Sequence, residues 1–352
     1  MKILSSMEEM GHEQVVHCYD PATQLRAIIA IHNTTLGPSL GGCRFWDYAS
    51  EDEAIFDVLR LSRGMTYKSA VAGLPLGGGK AVLLGDVKRL KTPQLLQAFG
   101  RFVNRLGGAY ITAEDVNMCV EDMSEVGKET SYVTGKARDQ GGSGDPSPYT
   151  ALGIYHGIRA AVQHRLGKSS LSGLHVAIQG CGAVGRNLAG LLHAQGVQLT
   201  VCDIVAANAQ KMADQYGARI VPVEKSHALA VDVLSPCALG GSLSSRTIPE
   251  IQAPIVAGGA NNQLLDEKTD GKALQEKGIL WAPDFVINAG GIINVYHELE
   301  GYNEEKVRKA VMGIEQTLTE LFLQAEKEHC TTLQASMRRG DAILQQARAK
   351  KA

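Results

Sequence analysis

The chain has 352 residues, with 35 Lys plus Arg against 37 Asp plus Glu, so it offers neither the basic field that gathers nucleic acid nor an acidic tail. Its length suits about two domains, each with its own core, and a small-molecule partner is the default. Seven dispersed cysteines without a C-x-x-C read as reduced thiols of a cytoplasmic protein, and no stretch resembles a signal peptide or the ~20 apolar residues of a membrane span, so a soluble protein is expected.

In chain order, residues 12–18 and 26–32 read as strands, the second carrying Ala27-Ile-Ile-Ala-Ile31 between polar ends. Ser50 followed by Glu53 is a capping box, and Ile55, Val58, Leu59 and Ser62 continue one helical face toward Lys68. Leu74-Pro-Leu-Gly-Gly-Gly-Lys80 cannot continue that helix, and Ala81-Val-Leu-Leu84 resumes as a strand, which puts Lys80 where a glycine loop enters it. Thr92-Pro93 opens a helix whose Leu95, Leu96, Phe99, Phe102, Val103 and Leu106 face a core, until Gly107-Gly108 stops it. Tyr110-Ile-Thr112 is a strand that delivers Glu114 and Asp115. Residues 141–148, Gly-Gly-Ser-Gly-Asp-Pro-Ser-Pro, hold three glycines and two prolines and are the best linker, so one domain is expected over 1–142 and another over 143–329.

Past a helix at 149–164, His175-Val-Ala-Ile-Gln179 is a short apolar strand, and Gly180-Cys181-Gly182-Ala183-Val184-Gly185 follows at once. Val184, Leu188, Leu191 and Leu192 then recur at helical spacing, and Gln198-Leu-Thr-Val-Cys202 is a second strand ending on Asp203, 23 residues after Gly180. A lone G-x-G-x-x-G is weak evidence, but a complete strand, glycine turn, helix, strand and acid describes a dinucleotide site of Rossmann type. Gly180 permits the turn, Gly182 lets the backbone approach a pyrophosphate, Gly185 lets helix and strand pack closely, and the helix N-terminus faces the anion. Asp203 is placed to hydrogen-bond a ribose hydroxyl. No Arg or Lys follows it before Lys211 to receive a 2′-phosphate, which favours NAD over NADP. Apolar runs at 231–235 and 255–257 end in the small-residue loops 236–240 and 258–262, and the run 279–287 leads into Asn288-Ala-Gly-Gly291, another backbone loop. Carboxyl ends of such strands are where a ligand lies, which makes Cys237, Ala238, Asn262 and Asn288 candidate cofactor contacts, although Cys237 also reads as a packing residue. A long amphipathic helix carrying Val307, Val311, Ile314, Leu318 and Phe322 and a final polar helix complete the chain. The whole is a two-domain α/β protein with a doubly wound second domain.

Among residues able to do chemistry, Lys68, Lys80 and Asp115 stand out. Singly, each has a bland reading, since lysines are usually solvated and an aspartate after a strand can cap a helix. Two ammonium groups sharing a cleft would repel each other and, with burial, lower at least one lysine pKa, giving a base near neutral pH. The ten histidines form no H-E-x-x-H and no compact cluster with cysteine, so no metal is expected. His297-Glu298 reads as helix surface, and Ser143 as a hinge residue rather than a nucleophile.

The runs Thr34-Thr-Leu-Gly-Pro-Ser-Leu-Gly-Gly-Cys-Arg44, Arg63-Gly-Met-Thr-Tyr-Lys68, Gly77-Gly-Gly-Lys80, Thr112-Ala-Glu-Asp115, Gly144-Asp-Pro-Ser-Pro148 and Asn288-Ala-Gly-Gly291 resemble, in order and over nearly the whole chain, the amino-acid dehydrogenases acting on glutamate, leucine, phenylalanine and valine. The resemblance implies reversible NAD-dependent oxidative deamination of an L-amino acid to the 2-oxo acid and ammonia, with a branched-chain substrate first and phenylalanine or tryptophan as alternatives. It implies Lys68 on the substrate carboxylate, Lys80 as catalytic base and Asp115 moving protons on the amino group. It also places Leu40, Gly41, Gly42, Ala113, Ile292 and Val295 around the substrate. The first domain would bind substrate and build a homo-oligomer, dimer or octamer, with residues 330–352 packing back on it. A non-catalytic NAD(H) sensor and a 2-hydroxy-acid dehydrogenase are the competing readings. The sensor needs no convergence of Lys68, Lys80 and Asp115, and the hydroxy-acid enzyme would want a histidine base on the nucleotide domain, where His175 and His193 stand at structural positions in the fingerprint strand and helix.

Overall fold

Five strands and five helices make up most of the first unit: α1 (Ile3–Met10), β1 (Gln14–Asp20), β2 (Leu25–Asn33), β3 (Ser39–Trp46), α2 (Glu51–Val71), β4 (Gly77–Leu84), α3 (Val87–Leu90), α4 (Pro93–Arg105), β5 (Tyr110–Glu114) and α5 (Val120–Val126). The structure is a computed structural model and describes residues 2–351, Gln140 without its side chain. Its first unit comprises Met1–Pro146 with Asn294–Asn303 and Gly340–Ala352, and its second Ser147–Ile293 with Glu304–Arg339.

The first unit's sheet has the order β1-β2-β4-β3-β5. β2 runs antiparallel to β1 and β4, whereas β3 is parallel to both β4 and β5. Both faces of this sheet are covered, which is why β2 is apolar almost throughout instead of alternating. On one face Cys43, Phe45, Ala81 and Leu83 meet Leu95, Leu96, Phe99 and Val103 of α4. On the other, Ile28, Ala30 and Val82 meet Ala54, Ile55, Val58 and Leu59 of α2. Successive strand residues point to opposite faces, so Lys80, two residues from Val82, lies on the α2 face. Arg44 aligns with Val82 across β3 and β4 and shares it.

The helix starts follow from the letters. Ser50 accepts the Glu53 N–H ahead of α2, and Thr92 accepts the Leu95 N–H ahead of α4, with proline in its first turn. Two elements differ from the sequence expectation. β3 has no alternating pattern to announce it, being buried on both faces and broken by glycines. Gly77-Gly-Gly79 is no loop but the first half of β4, so Lys80 sits inside a strand.

The second unit holds α6 (Ser147–Leu166), β6 (His175–Gln179), α7 (Ala183–His193), β7 (Gln198–Cys202), α8 (Ala206–Tyr216), β8 (Arg219–Ile220), β9 (Val233–Pro236), β10 (Ile255–Val256), α9 (Asp270–Glu276), β11 (Leu280–Trp281) and α10 (Asp284–Ile287). α11 (Gly290–Leu299), α12 (Glu304–Lys327) and α13 (Thr332–Lys351) follow, with α11 and α13 each contributing residues to both units. All six strands are parallel in the order β11-β10-β9-β6-β7-β8. Counted from the first strand this is 3-2-1-4-5-6, the doubly wound dinucleotide-binding arrangement, with the order reversing between β6 and β9. Gly290 and Gly291 belong to the first turn of α11, which corrects the expected loop at 288–291. A Cβ on Gly290 would lie 2.0 Å from the Tyr149 carbonyl oxygen, so the glycine serves close packing against α6.

Candidate active site and nucleotide site

In the first unit, β4 carries Lys80 and the end of β5 carries Asp115, and the Lys80 Nζ donates to Asp115 Oδ2. Lys80 is buried, its side chain only 4% exposed, and Asp115 is mostly covered at 12%. The other oxygen, Oδ1, accepts from Arg44 Nε at 3.0 Å and from the Val116 N–H at 2.7 Å. Burial works against the charge on Asp115, but Lys80 and Arg44 outweigh it and hold the carboxyl well below the usual carboxylate range. The immediate charge partner of Lys80 is therefore a carboxylate, whereas the sequence had set Lys68 against it. Lys68 is half-buried in the last turn of α2.

The expected substrate contacts Leu40, Gly41, Gly42 and Ala113 lie on β3 and β5, in register as Leu40–Ile111 and Gly42–Ala113. Leu40, Ala113 and Val295 in this unit, and Ile292 in the other, are all buried and apolar. Gly41 and Gly42 are filled against by the protein itself. A Cβ on Gly41 would sit 1.8 Å from the Gly79 carbonyl oxygen, and one on Gly42 would sit 2.8 Å from Asp115 Cβ. These glycines bring β3 close enough to its neighbours for Asp115, Lys80 and Arg44 to meet.

Two acids here had no role in the sequence reading. Glu114, next to Asp115, has its carboxyl pushed up to about 7 by burial and by Asp145, Glu121, Asp122 and Asp115. Glu298 is not simple helix surface: its Oε2 accepts the N–H groups of Gly135 and Ser143, each at 2.8 Å, and so ties down the 135–143 loop. A residue pattern shows neither, because both depend on what the fold brings near.

In the second unit, Gly180 follows β6 with φ +99°, a conformation glycine adopts freely. Gly182 is the N-cap of α7, without a side-chain cap. A Cβ there would meet nothing within 4 Å, whereas one on Gly185 would lie 2.0 Å from the Gly180 carbonyl oxygen. The open space thus lies where the unpaired N–H groups of a helix start can receive a phosphate. Asp203 Oδ2 accepts the Cys181 N–H and Oδ1 the Val205 N–H, both at 2.7 Å, which fixes the carboxylate at the end of β7. A carboxylate has about four acceptor sites, so lone pairs remain for a ribose hydroxyl. The Cys181 side chain is buried and its N–H is taken by Asp203, which leaves the backbone of Ala183 and Val184 in the first turn of α7 to face a ligand. Cys237 and the exposed Ala238 follow β9, the Cys237 N–H bonded to the Gln179 carbonyl. Asn262 takes a left-handed φ of 51° after β10. Asn288 donates to Gly259 and to Asn261 Oδ1, while its own Oδ1 is buried with no protein partner. An open helix start, a fixed acid and an orphaned amide oxygen at strand carboxyl ends all fit a nicotinamide dinucleotide.

Among the described residues no group of three His, Cys, Asp or Glu could hold a metal, and no helix is long and apolar enough to cross a membrane. Fold and site together define a nucleotide-binding oxidoreductase with a buried lysine–carboxylate pair. Comparison with known proteins gives the family. Residues 12–132 match the Glu/Leu/Phe/Val dehydrogenase dimerisation domain, and residues 200–352 match the Glutamate/Leucine/Phenylalanine/Valine dehydrogenase domain. The chain is 48% identical over 348 residues to a leucine dehydrogenase of Thermoactinomyces intermedius, covering 99% of this chain and 95% of that one. It is also 48% identical over 338 residues to an L-tryptophan dehydrogenase of Nostoc punctiforme, covering 96% and 95%. The crystal structure of L-tryptophan dehydrogenase from Nostoc punctiforme superposes with a TM-score of 0.83 at 45% identity, over 98% of this chain and 99% of the other. The chain belongs to the Glu/Leu/Phe/Val dehydrogenase family and is an NAD-dependent amino-acid dehydrogenase.

Proposed function

We propose that the protein oxidatively deaminates branched-chain L-amino acids, leucine before isoleucine and valine, and that Lys80 and Asp115 carry its protons. The observation behind this reading is the Lys80–Asp115 pair, which meets across β3 of one sheet in a family of amino-acid dehydrogenases. Lys68 holds the substrate carboxylate as a point charge. Bound NAD⁺, held by the Gly180–Gly185 turn and Asp203, supplies the hydride acceptor for the substrate α-carbon. Neutral Lys80 then takes a proton from the water that attacks the iminium carbon and hands it across their hydrogen bond to Asp115, which passes it to the amino group; the carbinolamine hydroxyl gives its own proton to Lys80 as the C–N bond breaks, leaving the 2-oxo acid and ammonia.

Substrate choice follows from the apolar Leu40, Ala113 and Val295 of the first unit, which offer no cation to an acidic side chain. Burying a glutamate carboxylate unpaired costs several kcal/mol, which excludes it by orders of magnitude. A methylene is worth only about 1–3 kcal/mol, so aliphatic substrates overlap. Phenylalanine and tryptophan are the second reading, supported by the equal identity to an L-tryptophan dehydrogenase. The dimerisation-domain match supports a homo-oligomer, and seven free cysteines support a cytoplasmic one.

The test is kcat/KM for leucine, valine, phenylalanine, tryptophan and glutamate, followed by NADH absorbance. Leucine is expected first and glutamate last. An aromatic winner replaces leucine, and a glutamate winner removes the assigned pocket. In the same assay Lys80→Ala loses roughly 10³-fold or more of kcat while NAD binding stays unchanged. Turnover retained in the variant would remove Lys80 from the base role, whereas loss of both would indicate misfolding.

A further inference from the structure

The Lys80–Asp115 pair is one end of a longer chain of charge. Beyond Asp115, Arg44 Nη1 donates to Asp57 Oδ2 at 2.9 Å, and the Tyr48 hydroxyl donates to the same oxygen at 2.7 Å. Tyr48, Asp57, Arg44, Asp115 and Lys80 thus connect a loop, α2, β3, the end of β5 and β4. Arg44 and Asp57 are 18% and 16% exposed, so solvent screens this network only weakly.

We propose that Arg44 is a positioning residue, anchored at one end by Asp57 and Tyr48, whose guanidinium fixes the Asp115 carboxylate so that its second oxygen stays turned to Lys80. The inference rests on the reading of Lys80 and Asp115 as the proton-transfer pair. A carboxylate turns about χ2 in a broad, roughly two-fold well, so the bond that Oδ1 makes decides where Oδ2 points. The Val116 N–H reaches the same Oδ1 but belongs to the backbone next door and constrains the carboxylate from one side only. Arginine suits the second constraint because its donors are rigidly directed, and here Nε and Nη1 serve two different carboxylates. A lysine at position 44 would keep the charge and lose one of the two directed bonds. Asp57 also balances the guanidinium charge, which otherwise would stand uncompensated near Lys80.

Other ionisable groups near Asp115 are Glu114, with its carboxyl at about 7, and Cys43 and Tyr110, both pushed up by burial and therefore neutral in the working range. Against that background the two halves of the network act with opposite sign. Removing the Arg44 cation favours a proton on the cluster, and removing the Asp57 anion disfavours one.

The experiment measures kcat, KM and the pH profile of kcat/KM for L-leucine in Arg44→Lys, Arg44→Gln, Asp57→Asn and Tyr48→Phe, with thermal melting of each and Asp115→Asn as reference. Arg44→Lys is expected to lower kcat roughly 10- to 100-fold with KM within about threefold and the acidic limb unmoved. In Arg44→Gln the acidic limb moves up by about half a pH unit or more, and in Asp57→Asn it moves down by a similar amount. Activity lost without opposite movement of the two limbs would make Arg44 merely structural and overturn the proposal, as would wild-type kcat in Arg44→Lys. Should Arg44→Gln melt below the assay temperature, the downward limb in Asp57→Asn and a smaller kcat loss in Tyr48→Phe decide the matter. Full turnover in Asp115→Asn would instead bring down the underlying reading of the proton-transfer pair.

Discussion

Gly78 in β4 and Gly182 at the start of α7 both lack a side chain, yet the space a Cβ would take is full in one case and open in the other. At Gly78 it would lie 2.1 Å from Thr66 Oγ1 and 2.2 Å from the Thr66 amide nitrogen, so the glycine lets α2 press directly onto the sheet. At Gly182 it would meet nothing within 4 Å. The first glycine serves the fold and reaches function only through the side chains it allows to meet. The second costs the fold nothing and keeps room for a ligand. Two stretches with similar letters thus differ: one is spent on packing, and the other leaves open the space proposed to take the dinucleotide.

The sharpest way to break this comparison is to add a methyl group at each site. Gly78→Ala must displace helix backbone, not a flexible side chain, and should destabilise by about 3 kcal/mol or more, which lowers Tm by roughly 6–12 °C. Unchanged melting in that variant would show that the crowding can relax. Gly182→Ala, by contrast, is expected to melt within about a degree or two of the parent while its KM for NAD⁺ rises roughly 10- to 100-fold. A large fall in Tm without a change in KM would reverse the assignment.

The smallest effect concerns the wall against which Gly78 packs. Thr66 Oγ1 is hydrogen-bonded at 2.7 Å to His32 Nδ1, and His32 Nε2 lies 3.0 Å from the Met10 carbonyl. A carbonyl only accepts, so Nε2 carries the proton and Nδ1 accepts from Thr66. His12 packs edge-on against this ring at 4.7 Å. Burial first, with positive neighbours adding to it, pulls both imidazoles from 6.5 down to about 4. An unfolded chain protonates these rings near 6.5, so their stability is complete above that pH and drains away as pH falls toward 4. Tm is therefore expected to fall by a few degrees between pH 7 and pH 5, and His32→Gln should flatten that slope. An equally steep slope in the variant would place the titration elsewhere.

How much was visible beforehand depended on whether local rules decide the conformation. The stretch from β6 to β7 could be read almost residue for residue, because a short apolar strand, a φ-positive glycine and a 3.6-residue repeat each act within a few positions. α2 and α4 were legible through Ser50 and Thr92 at their starts. β3 was invisible as a strand, since double-sided burial removes alternation and Gly41-Gly42 lowers strand propensity. The glycines of β4 suggested a loop for the same reason, and only tertiary contact with Thr66 and Tyr110 explains them. In the site, Lys80 and Asp115 could be picked out, but their pairing could not. Arg44 stood in a quoted run without a role, because its value lies in two partners, 71 and 13 residues away.

The position of β3 also bears on how activity appears in time. This strand lies between β4 and β5, parallel to both, and Lys80 and Asp115 are separated by 35 residues of chain. Closing loops of that size precedes the contacts that reward it, and parallel pairings form slowly for this reason. A folding intermediate holding β1, β2 and β4 with their helices, alongside a folded second unit, would give most of the helical signal while Asp115 was still far from Lys80. Regain of dehydrogenase activity after dilution from denaturant should accordingly lag behind regain of helix, so catalysis itself serves as a clock for the docking of the last strands.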